Sequence, residues 1–335
     1  MDFAAAAREL EGVEDARALT ARLGELGLTA VATRAPVDLA ELCAAREAVA
    51  YRSAAADSIL AVNGLGCHPL AEHPERERWV GPVRAGAAAC GFALTEAEAG
   101  SDVAAMQARA ERRGDAYALS GRKTFISNAP IAEWFVTFAM TDGGPAAFVV
   151  ARDDGLRVVD DVPLSVAHPI GSLELDGVVV PASRRVGGEG EGIRLAMATL
   201  DTFRASVAAA ACGMAARALD EAVARVKVRR QFGRTLAELQ LTQARLAECR
   251  TELEAARGLV RRACATRAKI DVAMAKLFAT EAAQRIVDAA VQLHGGLGVV
   301  RGVKVEELYR EVRSLRIYEG TSEIQKLIIA REMLR

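Results

Sequence analysis

Near the end of the chain, Ile317-Tyr318-Glu319-Gly320-Thr321-Ser322-Glu323-Ile324-Gln325 sets a carboxylate beside a glycine at a break in an apolar pattern. A Glu placed there, just ahead of a helix, can face a cavity, and a carboxylate in a cavity is a group able to take a proton. It can equally be a capping-region carboxylate. Thr321 or Ser322 is placed to cap the helix that follows, Glu323 to Leu334. Upstream, Gln292-Leu293-His294-Gly295-Gly296-Leu297-Gly298 stops a helix on glycines, where backbone can approach a ligand closely. Arg229-Arg230-Gln231-Phe232-Gly233-Arg234 closes another helix. Its guanidinium forks suit phosphate oxygens, although arginines at a helix end also simply favour the negative end of the dipole.

Two earlier segments offer a different chemistry. In Gly121-Arg122-Lys123-Thr124-Phe125-Ile126-Ser127-Asn128, alternation puts Phe125 and Ser127 on one face of a strand. A ring beside a hydroxyl can stack on a ligand ring and bond its edge, or the segment is a plain hairpin strand. Phe92-Ala93-Leu94-Thr95-Glu96-Ala97-Glu98-Ala99-Gly100-Ser101-Asp102 runs from an apolar start into a small-residue loop. Its N–H and hydroxyl groups suit a flat polar ligand edge, or it is an ordinary surface turn.

The elements that must position these segments follow from periodicity. Residues 1–90 read as an N-terminal helical domain, with helical runs over Ala4–Leu26, stopped near Gly24 and Gly27, and over Asp38–Ala61, ended by a turn-like Asn63-Gly64-Leu65-Gly66. Residues 91–190 read as a small antiparallel β-domain, because short β-rich runs at 116–119, 134–138, 147–150 and 178–180 are separated by turn residues and not by helices. Residues 191–335 read as a four-helix-type bundle. Leu239, Thr242, Leu246, Cys249, Leu253, Ala256 and Val260 make one helical stripe, with further stripes at Leu219, Val223, Val226 and at Ile286, Val287, Ala290, Leu293. The fold class is therefore multi-domain α+β: helices, then a β-domain, then a bundle.

Composition narrows the partners. A formal net charge of -1 over 335 residues leaves no electrostatic footprint for nucleic acid or an anionic membrane. No apolar run reaches the roughly 18–20 residues of a membrane span, and the start of the chain lacks a basic, apolar leader, so a cytoplasmic protein is expected. The six cysteines form no C-x-x-C pair, so no metal site is expected and they read as reduced core residues.

Taken together and in this order, the five segments resemble the acyl-CoA dehydrogenase family. Thr95–Asp102 is similar to its T-E-x-x-A-G-S-D loop, and Gly121–Asn128 to its G-x-K-x-[WF]-I-[ST]-N strand. Arg229–Gly233 is similar to R-x-x-F-G, Gln292–Gly298 to Q-x-x-G-G-x-G, and Tyr318–Gln325 to Y-E-G-T-x-x-I-Q. The resemblance covers the chain from about residue 76 to the end and implies the same helical–β–helical order.

The resemblance further implies FAD, lying between the β-domain and the bundle. Phe92, Leu94, Thr95 and Ser101 would line it, Phe125 would flank the ring system and Ser127 would bond near N5. Arg229, Gln231, Phe232, Leu239, Gln240, Gln292, Gly295 and Gly296 would contact the cofactor, Arg229 and Phe232 reaching that of a neighbouring subunit, while Thr321 and Glu323 would hold its dinucleotide part. A site shared in this way implies a homodimer or homotetramer. Glu319 would be the base that removes the α-proton of an acyl thioester while the β-hydrogen leaves as hydride. Ser101, Asp201, Arg204, Glu319 and Gly320 would meet the substrate, an acyl-CoA or acyl-carrier-protein thioester. An electron-transfer flavoprotein is the implied acceptor. Some members carry the base on an earlier helix; that position falls at Phe203, which cannot serve. Departures are a trimmed N-terminal part, a β-domain compressed between Asp142 and Pro181, Ala97-Glu98 where Pro-Gly is common, and Glu323 where Gln is frequent. A flavin oxidase of the same fold, using oxygen, and a non-catalytic scaffold are the competing expectations.

Overall fold

A computed structural model describes residues 1–160 and 162–335. The chain forms two compact units. One comprises Met1–Glu11, Leu39–Ala54 and Arg204–Arg335, the other Gly12–Asp38 and Ala55–Phe203.

The N-terminal part is helical, in six pieces: α1 (Phe3–Arg8), α2 (Ala16–Glu25), α3 (Leu28–Ala32), α4 (Leu39–Arg52), α5 (Ala54–Cys67) and α6 (Arg76–Arg84). The single helix expected over Ala4–Leu26 is two. Gly12 adopts φ +81°, and Asp15 starts α2 afresh by accepting the Ala18 N–H at 2.7 Å. The turn expected at Asn63–Gly66 is a second correction, for these residues lie inside α5. A Cβ on Gly64 would fall 2.4 Å from the Phe203 ring, and one on Gly66 would fall 2.6 Å from Cys90 Sγ. Those glycines serve close packing, which in sequence looks the same as a turn.

The β-strands are β1 (Ala89–Ala93), β2 (Arg109–Arg113), β3 (Ala116–Ser127), β4 (Ala132–Thr141), β5 (Gly144–Ala151), β6 (Arg157–Val159), β7 (Ile170–Pro181) and β8 (Arg185–Val186). They make one sheet in the order β6-β7-β3-β2-β4-β5-β8, with β1 beside β4. Hairpin pairing makes it mainly antiparallel, as the short runs suggested. Two pairings are exceptions: β1 runs parallel to β4 from Ala89 to Ala93, because a loop and the whole β2–β3 hairpin intervene, and β2 meets β4 in parallel at Arg109 and Met140. β4 is covered on both faces. Phe135 joins a core with Tyr117, Phe148 and Leu173, while Trp134, Val136 and Phe138 join another with Trp79 and Leu94. Such a strand reads as a nearly continuous apolar run, here Trp134 to Met140 with Thr137 as its one polar residue.

The remaining elements are α7 (Gly192–Val228), the short hairpin β9 (Arg230–Gln231) and β10 (Arg234–Thr235), α8 (Gln240–Thr266), α9 (Lys269–His294), α10 (Lys304–Leu315) and α11 (Ser322–Met333). The expected stripe on α8 is the buried one, through Thr242, Cys249, Leu253, Ala256 and Val260. Five cysteines are buried, Cys264 is half-buried, and all six are free. Among the described residues no helix is long and apolar enough to cross a membrane.

One contact of α7 is testable. A Cβ on Gly213 would lie 2.2 Å from the Glu47 carbonyl oxygen and 3.0 Å from the Tyr51 nitrogen, both backbone atoms of α4. Alanine is the better helix former by about 1 kcal/mol, but backbone cannot swing aside as a side chain can. Gly213→Ala is expected to destabilise by about 1–3 kcal/mol, read as a lower urea midpoint; a raised midpoint would refute the close approach.

Candidate active site

Glu319 sits in the turn between α10 and α11, in left-handed backbone with φ 52°, followed by Gly320 at φ 91°. For a residue with a Cβ that conformation costs roughly 1–2 kcal/mol. It persists where the surroundings over-determine it, and here three side chains on three helices do so. Arg204 Nε of α7 donates to the Glu319 carbonyl at 3.1 Å. Lys276 Nζ of α9 donates to the Gly320 carbonyl at 2.7 Å, and Gln325 Nε2 of α11 to the same oxygen at 2.8 Å. Thr321 caps α11 by accepting the Ile324 N–H at 3.3 Å, while Ser322 turns away to donate to Glu281 at 2.7 Å. A Cβ at 320 would stand 2.7 Å from Gln325 Nε2, so any other residue would displace that amide as well as strain the backbone at φ 91°. The Oε2 atom of Glu319 is shielded from solvent.

Lys276, fully buried on α9, was not singled out from the sequence. Burial lowers its ammonium to about 8; Arg204 pushes the same way, against the attraction of Glu319, Glu281 and Glu323. The available signal was a lysine set among Val272, Ala273, Ala275 and Ala279 in an apolar stripe.

In the same unit a cavity of about 350 Å³ brings together Arg229, Gln231, Gln292, Gly295 and Gly296. Gly295 ends α9 at φ 64°, and a Cβ on either glycine would meet open space. Phe232 is outside that lining; it is 90% exposed at the hairpin tip with φ 51°. Leu239 caps α8 half-buried, and Gln240 opens the helix exposed. Glu323 lines a separate pocket of about 500 Å³ with Arg285, Arg316 and Lys326. Its own backbone N–H and the Thr321 hydroxyl hold its carboxyl below the usual range.

The other unit carries the remaining candidates. Phe92 is half-buried, edge-on to Phe138 at 4.9 Å. The Leu94 side chain is core, so it offers only backbone to a ligand. Thr95 accepts the Thr124 N–H on its carbonyl at 3.0 Å, tying the loop to β3, and Ser101 is exposed in that loop. Beneath it lies an ion pair that sequence reasoning missed. Lys123 Nζ meets Glu96 Oε1 at 2.8 Å, both buried, and Glu96 also accepts the Gln107 and Ala108 N–H groups at 2.6 and 3.0 Å. Burial pushes the Glu96 carboxyl up, but Lys123 and the two amides outweigh it and hold it below its ordinary value.

Phe125 occupies a break in the β3–β7 ladder, 58% exposed at φ 54°, while Ile126 is buried and Ser127 half-buried. Asn128, at φ 63°, donates to the Cys90 carbonyl at 3.0 Å and fixes the end of the strand. On α7, Asp201 is half-buried and Arg204 buried. Phe203 is packed edge-on to His68 at 5.8 Å. Among the described residues five non-glycine residues have positive φ, and four of them, Phe125, Asn128, Phe232 and Glu319, lie in the segments picked out above; the fifth, Arg267, ends α8.

Comparison with known proteins gives matches over most of the chain. Family models described as acyl-CoA dehydrogenase, middle domain and C-terminal domain, match residues 91–178 and 190–334. A 3-(aryl)acrylate reductase of Clostridium sporogenes is 40% identical over 274 residues, 78% of this chain and 73% of the relative. A subunit of the caffeyl-CoA reductase–Etf complex of Acetobacterium woodii is 37% identical over 277 residues, 77% of this chain and 72% of that one. The structure of butyryl-CoA dehydrogenase from Megasphaera elsdenii superposes with a TM-score of 0.92 at 30% identity, covering 100% of this chain and 97% of the other.

Proposed function

The chain belongs to the acyl-CoA dehydrogenase family, FAD-dependent oxidoreductases acting on a CH–CH bond of acyl thioesters, and from that premise we propose that Glu319 is its catalytic base. The observation that carries this is the Glu319–Gly320 turn, strained and gripped by Arg204, Lys276 and Gln325. A base held on rigid elements keeps its reach to a substrate proton.

The residues fit FAD. Arg229, Gln231 and Gln292 offer forked and amide donors to phosphate and polar ring edges, beside glycines with open space above them. In the other unit the strained backbone of Phe125 holds an aromatic ring out to solvent, two residues before the Ser127 hydroxyl. The family resemblance is what adds Phe92, Leu94, Thr95 and Ser101, and Leu239, Gln240, Thr321 and Glu323, to the proposed cofactor contacts. When bound, FAD supplies the acceptor for the β-hydride.

The protein's own task is the proton. Glu319 takes it from the α-carbon, which is acidic enough only if charge growing on the thioester carbonyl is stabilised. The Glu319 backbone N–H, oriented by the left-handed turn, is the donor this chain offers there. Arg204, Asp201, Ser101 and Gly320 are the proposed substrate contacts. Electrons then pass to an electron-transfer flavoprotein, a reading supported by the Etf complex of the Acetobacterium relative. Phe232, exposed at its hairpin tip, supports a homodimer or homotetramer in which that ring meets a neighbouring copy.

Two relatives are named reductases, which favours as a second reading the reverse reaction, with Glu319 returning the proton to an enoyl thioester. The deciding test is anaerobic absorption spectroscopy of the purified protein with panels of saturated and enoyl thioesters, on CoA and on carrier protein. Bleaching by a saturated ester is expected for the dehydrogenase. Reoxidation of pre-reduced protein by an enoyl ester alone would make it a reductase, and protein without flavin would sink both. Rapid reoxidation by oxygen alone would mark an oxidase.

A further inference from the structure

We propose that Lys276 is a positioning residue for Glu319: it anchors the turn that carries the base and stands as a buried cation that sets the pH range in which the base works. This rests on the reading of Glu319 given above. Geometry carries the first half. The Gly320 carbonyl takes Lys276 Nζ at 2.7 Å and Gln325 Nε2 at 2.8 Å, while the preceding carbonyl takes Arg204 Nε at 3.1 Å. With both carbonyls of the dipeptide pinned, the peptide planes on either side of Gly320 cannot flip. Those planes fix the backbone that follows the Glu319 Cα, and with it the point from which the side chain leaves the turn.

Burial carries the second half. Lys276 is fully buried among Val272, Ala273, Ala275 and Ala279. An apolar residue in such a stripe is commonly as stable as a buried ion or more so, so packing alone gives no reason for an ammonium there. The charges it faces are Glu319 in the turn, Arg204 on α7, Glu281 on its own helix and Glu323 on α11. Desolvation already brings it down to about 8, so it is a cation through neutral pH and loses that charge just above it. A neighbouring cation favours the ionised form of a carboxylate. Removing it therefore raises the pKa of Glu319, and the acid limb of the rate profile moves to higher pH.

The test uses the FAD-loaded full chain with Lys276→Met, which removes donor and charge, and Lys276→Gln, which keeps an N–H donor without the charge. Flavin reduction by an active thioester is followed from pH 5.5 to 8.5. Lys276→Met is expected to slow it about 100-fold, the scale of a misplaced reacting group, and Lys276→Gln to recover most of that. In both variants the acid limb should move up by about 1 pH unit or more. Infrared titration of the Glu319 carboxyl band, identified by its loss in Glu319→Gln, should show the same displacement without turnover. A slower rate with an unmoved limb and band would make Lys276 merely structural and overturn the proposal, as would unchanged rates. Should Lys276→Met fail to hold flavin, the Lys276→Gln band decides. Persistent reduction in Glu319→Gln would instead sink the assignment of the base, a separate outcome.

Discussion

Glu319→Gln is expected to bind FAD as tightly as the native protein and to lose its reduction by substrate, at the upper end of the roughly 10²–10⁴-fold that general-base catalysis contributes. The amide is nearly isosteric and makes the same backbone, so the bonds from Arg204 and Lys276 to the carbonyls of residues 319 and 320 survive. What goes is the proton acceptor. The other position that carries a base in some relatives cannot rescue it, because Phe203 is a phenyl ring held in the core against His68 and Gly64. The flavin spectrum and its anaerobic bleaching rate separate the two effects. Bleaching within a few-fold of native would place the base elsewhere.

Lys123→Met should produce the largest loss of stability, about 3–5 kcal/mol, because it strands the buried Glu96 carboxylate without its cation. The Gln107 and Ala108 amides still reach Glu96 but carry no full charge. The loop they hold bears Thr95 and Ser101, so flavin affinity should fall with the urea midpoint. The sign against pH is fixed by Glu96, whose carboxyl is held below its ordinary value. Its stabilisation is present above that value and fades as acid protonates it. Glu96→Gln combined with Lys123→Met should restore much of the loss, since no lone charge is then buried. A double variant as unstable as Lys123→Met alone would show that the pair is not the cause.

The order of helices, β-domain and bundle was legible because it rests on periodicity, which burial imposes along the chain: the α8 stripe from Thr242 to Val260 is one face of one helix. The chemistry-bearing segments were legible for a different reason. Glu319-Gly320, Gly295-Gly296 and Phe232-Gly233 pair a candidate residue with glycine where the backbone turns left-handed. The supports were not legible. Lys276, Glu96 and Gln325 meet their partners through hydrogen bonds between residues distant in sequence or on successive elements, and one sequence carries no record of such pairings. Gly64 and Gly66 misled for the converse reason: close packing against Phe203 and Cys90 demands glycine as strictly as a turn does.

The strained positions have a consequence for anyone who improves the protein's heat resistance. Phe125, Phe232 and Glu319 each hold a conformation in which glycine is unstrained, so a selection scored on melting temperature alone would drift toward glycine at these sites. Each step would look like progress on the thermal assay while removing a ring or a carboxylate from the proposed site. A library that freezes these three codons and varies the rest would let robustness and turnover be optimised independently.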